Sequence, residues 1–233
     1  MATTPADSIS LQAPDSLINT DDGRQYWEAV SADLDGMLGG FPYISKVDLQ
    51  GSKNFLAKLG IGSKEGLRTV ESALDGGAGI GRITKGLLLD IAKNVDVVEP
   101  IAKFTATLGE VTGVRSISNI GLEEWEPQTG TTYDLVWTQW CLGHLTDDEV
   151  ILYLKRCKAA LTPETGLVVV KENLNSGEED LFDKLDSSVT RQVRAESSER
   201  IIRGKRILTE PRTKQLDATV SSWPCSRLLD CEW

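Results

Sequence analysis

Residues 73–82 read ALDGGAGIGR and place four glycines within six positions. The stretch follows a short apolar run, TVESALD (69–75), and leads into a helix-like stretch, GRITKGLLLDIAK (81–93). Glycine adopts positive φ without strain and lets backbone amides come into contact with a ligand. The pattern therefore favours a ligand-binding turn between a strand and a helix, and a tight turn that binds nothing is the alternative.

Strands and helices alternate from about residue 69 onwards. Four further strands are predicted at VDVVEP (95–100), VRSISNI (114–120), YDLVWTQW (133–140) and GLVVVKEN (166–173). Helices are predicted at 81–93, 101–113 and 147–163, and Thr146 with Glu149 forms a capping box at the start of the last one. Apolar strands joined by amphipathic crossovers predict an α/β fold with a doubly wound, mostly parallel sheet.

Length and composition exclude several classes of protein. The 233 residues suit one globular domain, and the net charge of -10 argues against nucleic acid or an anionic membrane as the partner. The four cysteines form no CxxC pair, so neither a disulfide framework nor a metal site is predicted. The start resembles no signal peptide, and no apolar run reaches the roughly 18 residues that span a bilayer. We expect a soluble, cytoplasmic protein.

The glycine spacing distinguishes between possible cofactors. After Asp75 it reads D-x-G-x-G-x-G, whereas a dinucleotide site needs G-x-G-x-x-G, so a nicotinamide cofactor is disfavoured. Arg82 beside the turn suits the carboxylate of a zwitterion such as the methionine end of S-adenosylmethionine. Glu99 ends the second strand, where a carboxylate accepts ribose hydroxyls. GLEEW (121–125) follows the third strand and could contact the adenine.

Other polar and aromatic side chains follow the fourth and fifth strands. His144, the only histidine, is a candidate base because imidazole titrates near neutral pH. Asn173, Asp183 and Asp186 are expected to lie above the same pocket, with Trp140 as an aromatic wall. Methyl transfer needs a neutral nucleophile that is held in line and has lost its proton. An aromatic wall with carboxylates suits an amine. For an isolated histidine or carboxylate, a structural role is the alternative.

Several stretches together resemble one family, the alpha-N-terminal protein methyltransferases. They are ADLDGMLGGFPYIS (32–45), LDGGAGIGRITKGLLL (74–89), WTQWCLGHLTDDE (137–149), LKRCKAALTPETGLVVVKEN (154–173) and LDSSVTR (185–191). That family methylates the α-amino group of proteins that begin X-Pro-Lys. The resemblance implies a Rossmann-like class I S-adenosylmethionine-dependent fold, with exposed X-Pro-Lys N-termini of proteins as substrates. Cytoplasmic and nuclear locations are the expectation.

The resemblance also assigns roles to residues. For cofactor binding it implies Gly77, Gly79, Arg82, Glu99, Leu122, Glu123 and Gln139, where the family usually has Asp in place of Glu99 and Gln in place of Glu123. For substrate binding it implies Trp27, Trp140, Asn173, Asp183 and Ser188. For proton removal it implies Asp186 and His144. No metal is implied.

The resemblance divides the chain into segments. It implies a methyltransferase domain at 21–191 whose helical lid covers 21–65. Residues 1–20, rich in Ser, Thr, Pro and Asp, are predicted from their composition to be a flexible leader. A divergent segment follows at 192–233. The family has a helix and two closing antiparallel strands there. A short helix is predicted near 195–206, but two well-formed apolar strands are not visible, and RILTE (206–210) and LDATVSSW (216–223) are the best candidates.

Two other functions remain open. A small-molecule methyltransferase could use the same cofactor turn. Alternatively, the altered C-terminus leaves the pocket poorly stabilised, and the protein binds a peptide or a partner without turnover. An unpaired sheet edge would lower the stability of the fold and favour aggregation.

Overall fold

The structure, a computed structural model, describes residues 12–177 and 179–192, and the backbone of 206–209. Six strands form one parallel sheet in the order β3-β2-β1-β4-β5-β8. These strands are β1 (Val70–Gly76), β2 (Ala92–Val98), β3 (Val114–Ser118), β4 (Leu135–Gln139), β5 (Leu167–Lys171) and β8 (Arg206–Thr209). A separate antiparallel hairpin consists of β6 (Leu181–Asp183) and β7 (Ser188–Thr190).

Helices precede the sheet and connect its strands. The α-helices are α1 (Thr20–Ala29), α2 (Leu34–Met37), α3 (Ile44–Lys58), α4 (Arg82–Gly86), α5 (Ala102–Thr105) and α6 (Asp147–Ala159). Short 3-10 helices lie at Pro14–Leu17, Leu88–Asp90 and Leu142–His144. No helix among the described residues is long and apolar enough to cross a bilayer.

Apolar side chains cover both faces of the sheet. Side chains on a strand alternate between the two faces, so Ala73 of β1 belongs to one core cluster and Leu74 to the other. Leu56 of α3 lies in the first cluster, whereas Val150 and Tyr153 of α6 lie in the second. The sheet is therefore buried on both sides, which confirms the predicted doubly wound α/β fold.

Two predicted helices are much shorter in the structure. The helix predicted at 81–93 ends at Gly86, and Ala92 already belongs to β2. Glycine is a poor helix former, and a Cβ at Gly86 would lie 2.7 Å from Cδ1 of Leu49 in α3. The helix predicted at 101–113 is helical only over Ala102–Thr105.

The C-terminal prediction was wrong in one respect. RILTE does supply a strand, but β8 runs parallel to β5, with Leu167 opposite Arg206 and Val170 opposite Thr209. An open strand edge offers backbone donors and acceptors to a partner in either direction. LDATVSSW and residues 195–205 of the predicted helix lie outside the described residues.

The segment before α1 contacts the rest of the domain. A carboxylate oxygen of Asp15 accepts a hydrogen bond from the backbone N–H of Asp147, the first residue of α6. The backbone N–H of Asn19 donates to Oγ of Ser187, in the turn between β6 and β7. The first bond ties this segment to α6, and the second ties the start of α1 to the hairpin.

We expect Thr146→Ala to lower the free energy of unfolding by about 1 kcal/mol, because the capping box predicted at Thr146 and Glu149 is present. Thr146→Ser keeps the hydroxyl and should cost much less. Urea unfolding of both variants measures the difference. Equal losses would show that the hydroxyl is not what stabilises the start of α6.

Candidate functional site

The order of the strands creates a crevice between β1 and β4. The chain proceeds from β1 through β2 to β3 on one side and then crosses back to place β4 on the other side of β1. Gly76 at the end of β1 lies opposite Val98 of β2 and Thr138 of β4. In open α/β sheets, ligands bind at such a point, outside the carboxyl ends of the strands.

The turn after β1 requires glycine for two reasons. Gly77 and Gly79 have φ of 71° and 55°, and residues with a side chain rarely adopt such angles. A Cβ at Gly77 would also lie 2.4 Å from Sγ of Cys141, and one at Gly79 would lie 2.9 Å from Sδ of Met37. Side chains of this chain, and not a ligand alone, therefore exclude larger residues. Both glycines line the cleft.

Glu99 joins this turn to the end of β2. One carboxylate oxygen accepts from the backbone N–H of Gly79 at 2.8 Å, and the other accepts from that of Ile101 at 2.9 Å. Burial raises the pKa of Glu99. The carboxylate lines the cleft and fixes the path of the glycine turn.

Arg82 is held in the cleft by a buried carboxylate that the sequence analysis did not single out. Nη1 of Arg82 lies 2.7 Å from Oδ2 of Asp48 in α3. Oδ1 of the same carboxylate lies 2.9 Å from Nζ of Lys171, and Gln139 Nε2 donates to Oδ2 at 3.0 Å. Burial alone would raise the pKa of Asp48, but Lys171 and Arg82 outweigh it and the pKa is lowered. Asp48 is therefore ionised at neutral pH.

Trp140 forms one wall of the cleft. Its φ of 57° is unusual for a bulky residue, and such strain persists only where the surroundings fix it. The backbone N–H of Trp140 donates to the carbonyl of Lys171 at 2.9 Å. The guanidinium carbon of Arg82 lies 5.0 Å from the centroid of the Trp140 ring, which is a cation–π arrangement.

Glu172 supports the loop that follows Trp140. Its Oε1 accepts from the backbone N–H groups of Cys141 and Leu142, each at 2.9 Å. Burial raises the pKa of Glu172 to about 7. The thiol of Cys141 lies 3.4 Å from the carbonyl oxygen of Gly76, and burial raises its pKa well above the ordinary value.

The loop after β3 lies on the opposite side of the cleft. Leu122 is buried, and both it and Glu123 line the cleft. Arg24 of α1 donates to Oε1 of Glu123 at 2.8 Å and to Oε1 of Glu124 at 2.5 Å. This ion pair joins α1 to the loop after β3.

His144 and Asp186 lie together below α1. Nε2 of His144 accepts from Nε1 of Trp27 at 3.1 Å and lies 3.9 Å from Oδ2 of Asp186. The other oxygen of Asp186 accepts from Oγ of Ser188 at 2.6 Å. Burial lowers the pKa of His144, although Asp186 opposes the change. His144 is therefore neutral at neutral pH.

The structure brings most of the predicted residues to one cleft. These cleft-lining residues are Trp27, Gly77, Gly79, Arg82, Glu99, Leu122, Glu123, Gln139, Trp140 and His144. Asp186 contacts the cleft through His144, and Ser188 contacts Asp186.

The expectation that Asn173 and Asp183 lie above the same pocket was wrong. Both are exposed and neither lines the cleft. Asp183 is the last residue of β6, and its carboxylate accepts from the backbone N–H of Leu185, so it caps the turn of the hairpin. Asn173 lies two residues beyond the end of β5.

Sequence reasoning missed Asp48, Arg24 and Glu172. Only Asp48 left a detectable pattern. Ser45, Asp48, Ser52 and Leu56 are the buried residues of α3, and they recur at helical spacing. A stripe of polar residues on the buried face of a helix implies polar partners elsewhere in the chain. Among the described residues, no group of three side chains could hold a metal ion.

Comparison with known proteins identifies the family. The sequence pattern of the AdoMet dependent proline di-methyltransferase family matches residues 15–216. The chain belongs to this family. As a member of the AdoMet dependent proline di-methyltransferases it is an S-adenosylmethionine-dependent methyltransferase, which confirms the predicted cofactor and enzyme class.

Curated relatives and a solved structure agree with this family. The chain is 46% identical over 176 residues to alpha N-terminal protein methyltransferase 1 of Schizosaccharomyces pombe. The aligned region covers 73% of this chain and 77% of the relative. It is 44% identical over 177 residues to N-terminal Xaa-Pro-Lys N-methyltransferase 1 of Danio rerio, covering 74% and 78%. A SAM-dependent methyltransferase of Leishmania major is 37% identical with a TM-score of 0.64, covering 74% of this chain and 68% of that one.

We expect Asp48→Asn to lower the free energy of unfolding by about 3–5 kcal/mol, because it leaves two buried cations without their carboxylate. Asp90→Asn is the matched control, since the ion pair of Asp90 with Lys53 is exposed and should contribute at most about 1 kcal/mol. Urea unfolding of both variants tests this. Similar losses in the two would contradict the central role of Asp48.

The raised pKa of Glu172 predicts a pH dependence of stability. Between pH 4.5 and about 7 the folded state binds more protons at this carboxyl than the unfolded state. This contribution to stability is therefore lost as the pH rises through that window. Glu172→Gln should remove roughly 3 kcal/mol of this decline, since one pKa unit corresponds to about 1.4 kcal/mol.

Urea unfolding at several pH values measures this change, and Glu164→Gln at an exposed position is the control. A decline that is the same in wild type and Glu172→Gln would rule out Glu172 as its source.

Proposed function

We propose that the chain transfers methyl groups from S-adenosylmethionine to the α-amino group of proteins that begin Xaa-Pro-Lys. The printed names of its relatives describe that activity for them. The observation that carries the proposal to this chain is the arrangement of the cleft. The glycine turn and His144, whose Nε2 lies 3.9 Å from Oδ2 of Asp186, line the same cleft.

The cleft residues fit S-adenosylmethionine, which supplies an electrophilic methyl group on a sulfonium when bound. Each carboxylate oxygen of Glu99 accepts one backbone N–H and keeps a lone pair for a ribose hydroxyl. Arg82, held by Asp48 and Trp140, would bind the carboxylate of the methionine portion. Leu122 offers an apolar surface to the adenine.

Glu123 and Gln139 would complete the cofactor site. The carboxylate of Glu123 is an acceptor only, and Arg24 fixes its orientation, so it suits the amino group of adenine. The amide of Gln139 donates to Asp48 and accepts from Nε1 of Trp137. These two bonds fix the orientation of the amide where it lines the cleft.

Proton removal from the substrate needs only a modest base. An α-amino group has a pKa of about 7.7–8.0, so a nearby acceptor readily exposes its lone pair. Asp186, oriented by Ser188, offers a carboxylate oxygen, and the neutral His144, whose Nε2 already accepts from Trp27, lies 3.9 Å from it. We assign Asp186 the role of taking the proton beside the neutral His144, while the surrounding side chains hold the amine in line.

The remaining substrate residues would contact the first three residues of the peptide. The ring of Trp140 offers a flat surface to a proline at position two, and Trp27 closes the other side. An extended chain advances about 3.3–3.6 Å per residue, so a lysine at position three would lie outside the cleft, where the exposed Asp183 could meet it. For Asn173 the proposed substrate role rests on the family resemblance alone.

A peptide assay tests the proposal. Mass spectrometry after incubation with S-adenosylmethionine should show methylation of a Ser-Pro-Lys peptide and little methylation of a Ser-Gln-Lys peptide. If both peptides stay unmodified while a metabolite from a cell extract gains a methyl group, the enzyme is a small-molecule methyltransferase. Calorimetry with S-adenosylhomocysteine separates both outcomes from a variant without turnover, because absence of heat and of a thermal shift would favour that variant.

Asp186→Asn should lower kcat/KM for the Ser-Pro-Lys peptide by about 100-fold or more, the effect of losing a general base. Binding of S-adenosylhomocysteine should stay unchanged, because Asp186 does not line the part of the cleft that we assign to the cofactor. Asp90→Asn serves as the control for loss of a surface carboxylate. An unchanged rate in Asp186→Asn would disprove its assignment as the base.

A further inference from the structure

Trp27 contacts His144 through a hydrogen bond as well as through its ring. The indole Nε1 lies 3.1 Å from Nε2 of His144. The two rings are nearly perpendicular, at 85°, with their centroids 6.0 Å apart. Trp27 belongs to α1, whereas His144 follows β4, so the bond joins the helix above the cleft to the loop below it.

The chemistry of the two rings fixes the direction of this bond. An indole N–H is a donor only, so Nε2 of His144 must be the acceptor. Nε2 then carries no proton, and the neutral imidazole holds its proton on Nδ1. A protonated imidazole is a donor at both nitrogens, so Trp27 could no longer bind it.

Charged groups around His144 act in opposite directions. Asp186, in the turn between β6 and β7, favours the protonated ring, and so does Glu123 in the loop after β3, whose carboxylate is itself paired with Arg24 of α1. Burial and the Trp27 donor favour the neutral ring. The neutral form prevails, since the pKa of His144 is lowered.

We propose that Trp27 is a positioning residue for His144: its indole N–H holds the imidazole neutral, with the proton on Nδ1, through a bond from α1 that exists only in that protonation state. This inference rests on the proposed function for its effect on the rate, although the protonation state itself can be measured without a substrate. Asp186 then keeps the carboxylate oxygen that faces the ring available to the amine.

The link has a consequence for α1. Protonation of His144 removes the bond from Trp27, while the contacts of Asn19 with Ser187 and of Arg24 with Glu123 remain. The carbonyl oxygens of Glu28 and Val30 at the end of the helix also still accept from Nζ of Lys103, so α1 stays attached at both ends and loses only its bond to the ring of His144. The activity should decline on the acid side as His144 becomes protonated.

The only histidine of the chain makes the protonation state directly measurable. In protein labelled at histidine, the ring carbon and nitrogen chemical shifts should show the Nδ1–H form in wild type. Trp27→Phe keeps an aromatic ring and removes the donor, so its titration midpoint should move to higher pH. Tyr26→Phe, next to Trp27 and in edge contact with it, is the matched control and should leave the midpoint in place.

The rate provides a second measurement. With kcat/KM of each protein normalised to pH 8, the activity of Trp27→Phe should begin to fall at a higher pH than that of wild type. Below both midpoints the ratio of the two activities should approach about fivefold, the factor that one hydrogen bond represents. A loss equal at every pH, with an unmoved midpoint, would mean that Trp27 only packs, and would overturn the proposal. An Nε2–H form in wild type would overturn it without any variant.

The two proposals can fail separately. If the midpoint moves in Trp27→Phe while no Xaa-Pro-Lys peptide is methylated by wild type, the positioning role stands and the proposed substrate is wrong. If the peptide is methylated and the midpoint does not move, the proposed substrate stands and the positioning role of Trp27 is wrong. Should Trp27→Phe fail to fold, the chemical shifts of wild type decide.

Discussion

The buried carboxylate of Asp48 is the interaction on which the cleft depends. It meets Arg82 at the start of α4, Lys171 at the end of β5 and Gln139 at the end of β4. An ionised group in a protein interior is tolerated only when partners surround it, so these elements cannot shift independently. The helix α3 comes before the sheet in the chain, and Asp48 thereby fixes it to the carboxyl ends of β4 and β5 and to the start of α4.

Backbone strain at the end of β4 depends on similar support from β5. Trp140 adopts its left-handed conformation because Lys171 binds its N–H and Glu172 binds the two N–H groups that follow. The same turn aims the Trp140 ring at Arg82 and leads the chain to His144. The geometry of the cleft therefore follows from how two neighbouring strands end.

The sequence predicted well those features that arise from local patterns. The five central strands, the glycine turn, Glu99 and the capping box of α6 follow from periodicity and spacing within short stretches. The proximity of His144 and Asp186 agrees with the family resemblance, which supplies their predicted roles. Contacts between distant segments were not predictable in this way. No sequence pattern near Arg24 indicates that it pairs with Glu123, and none near Asp48 indicates that it pairs with Lys171. Asn173 and Asp183 were placed in the cleft because strand ends converge, but β5 ends at Lys171 and the hairpin turns Asp183 outward.

The thiol of Cys141 lies beneath the glycine turn and lines the cleft. Its raised pKa keeps it protonated at neutral pH, and a thiol is a far weaker nucleophile than a thiolate. Burial of Cys141, together with the nearby carboxyl groups of Glu172, Glu99 and Asp75, thus keeps this sulfur in its less reactive form at the cleft.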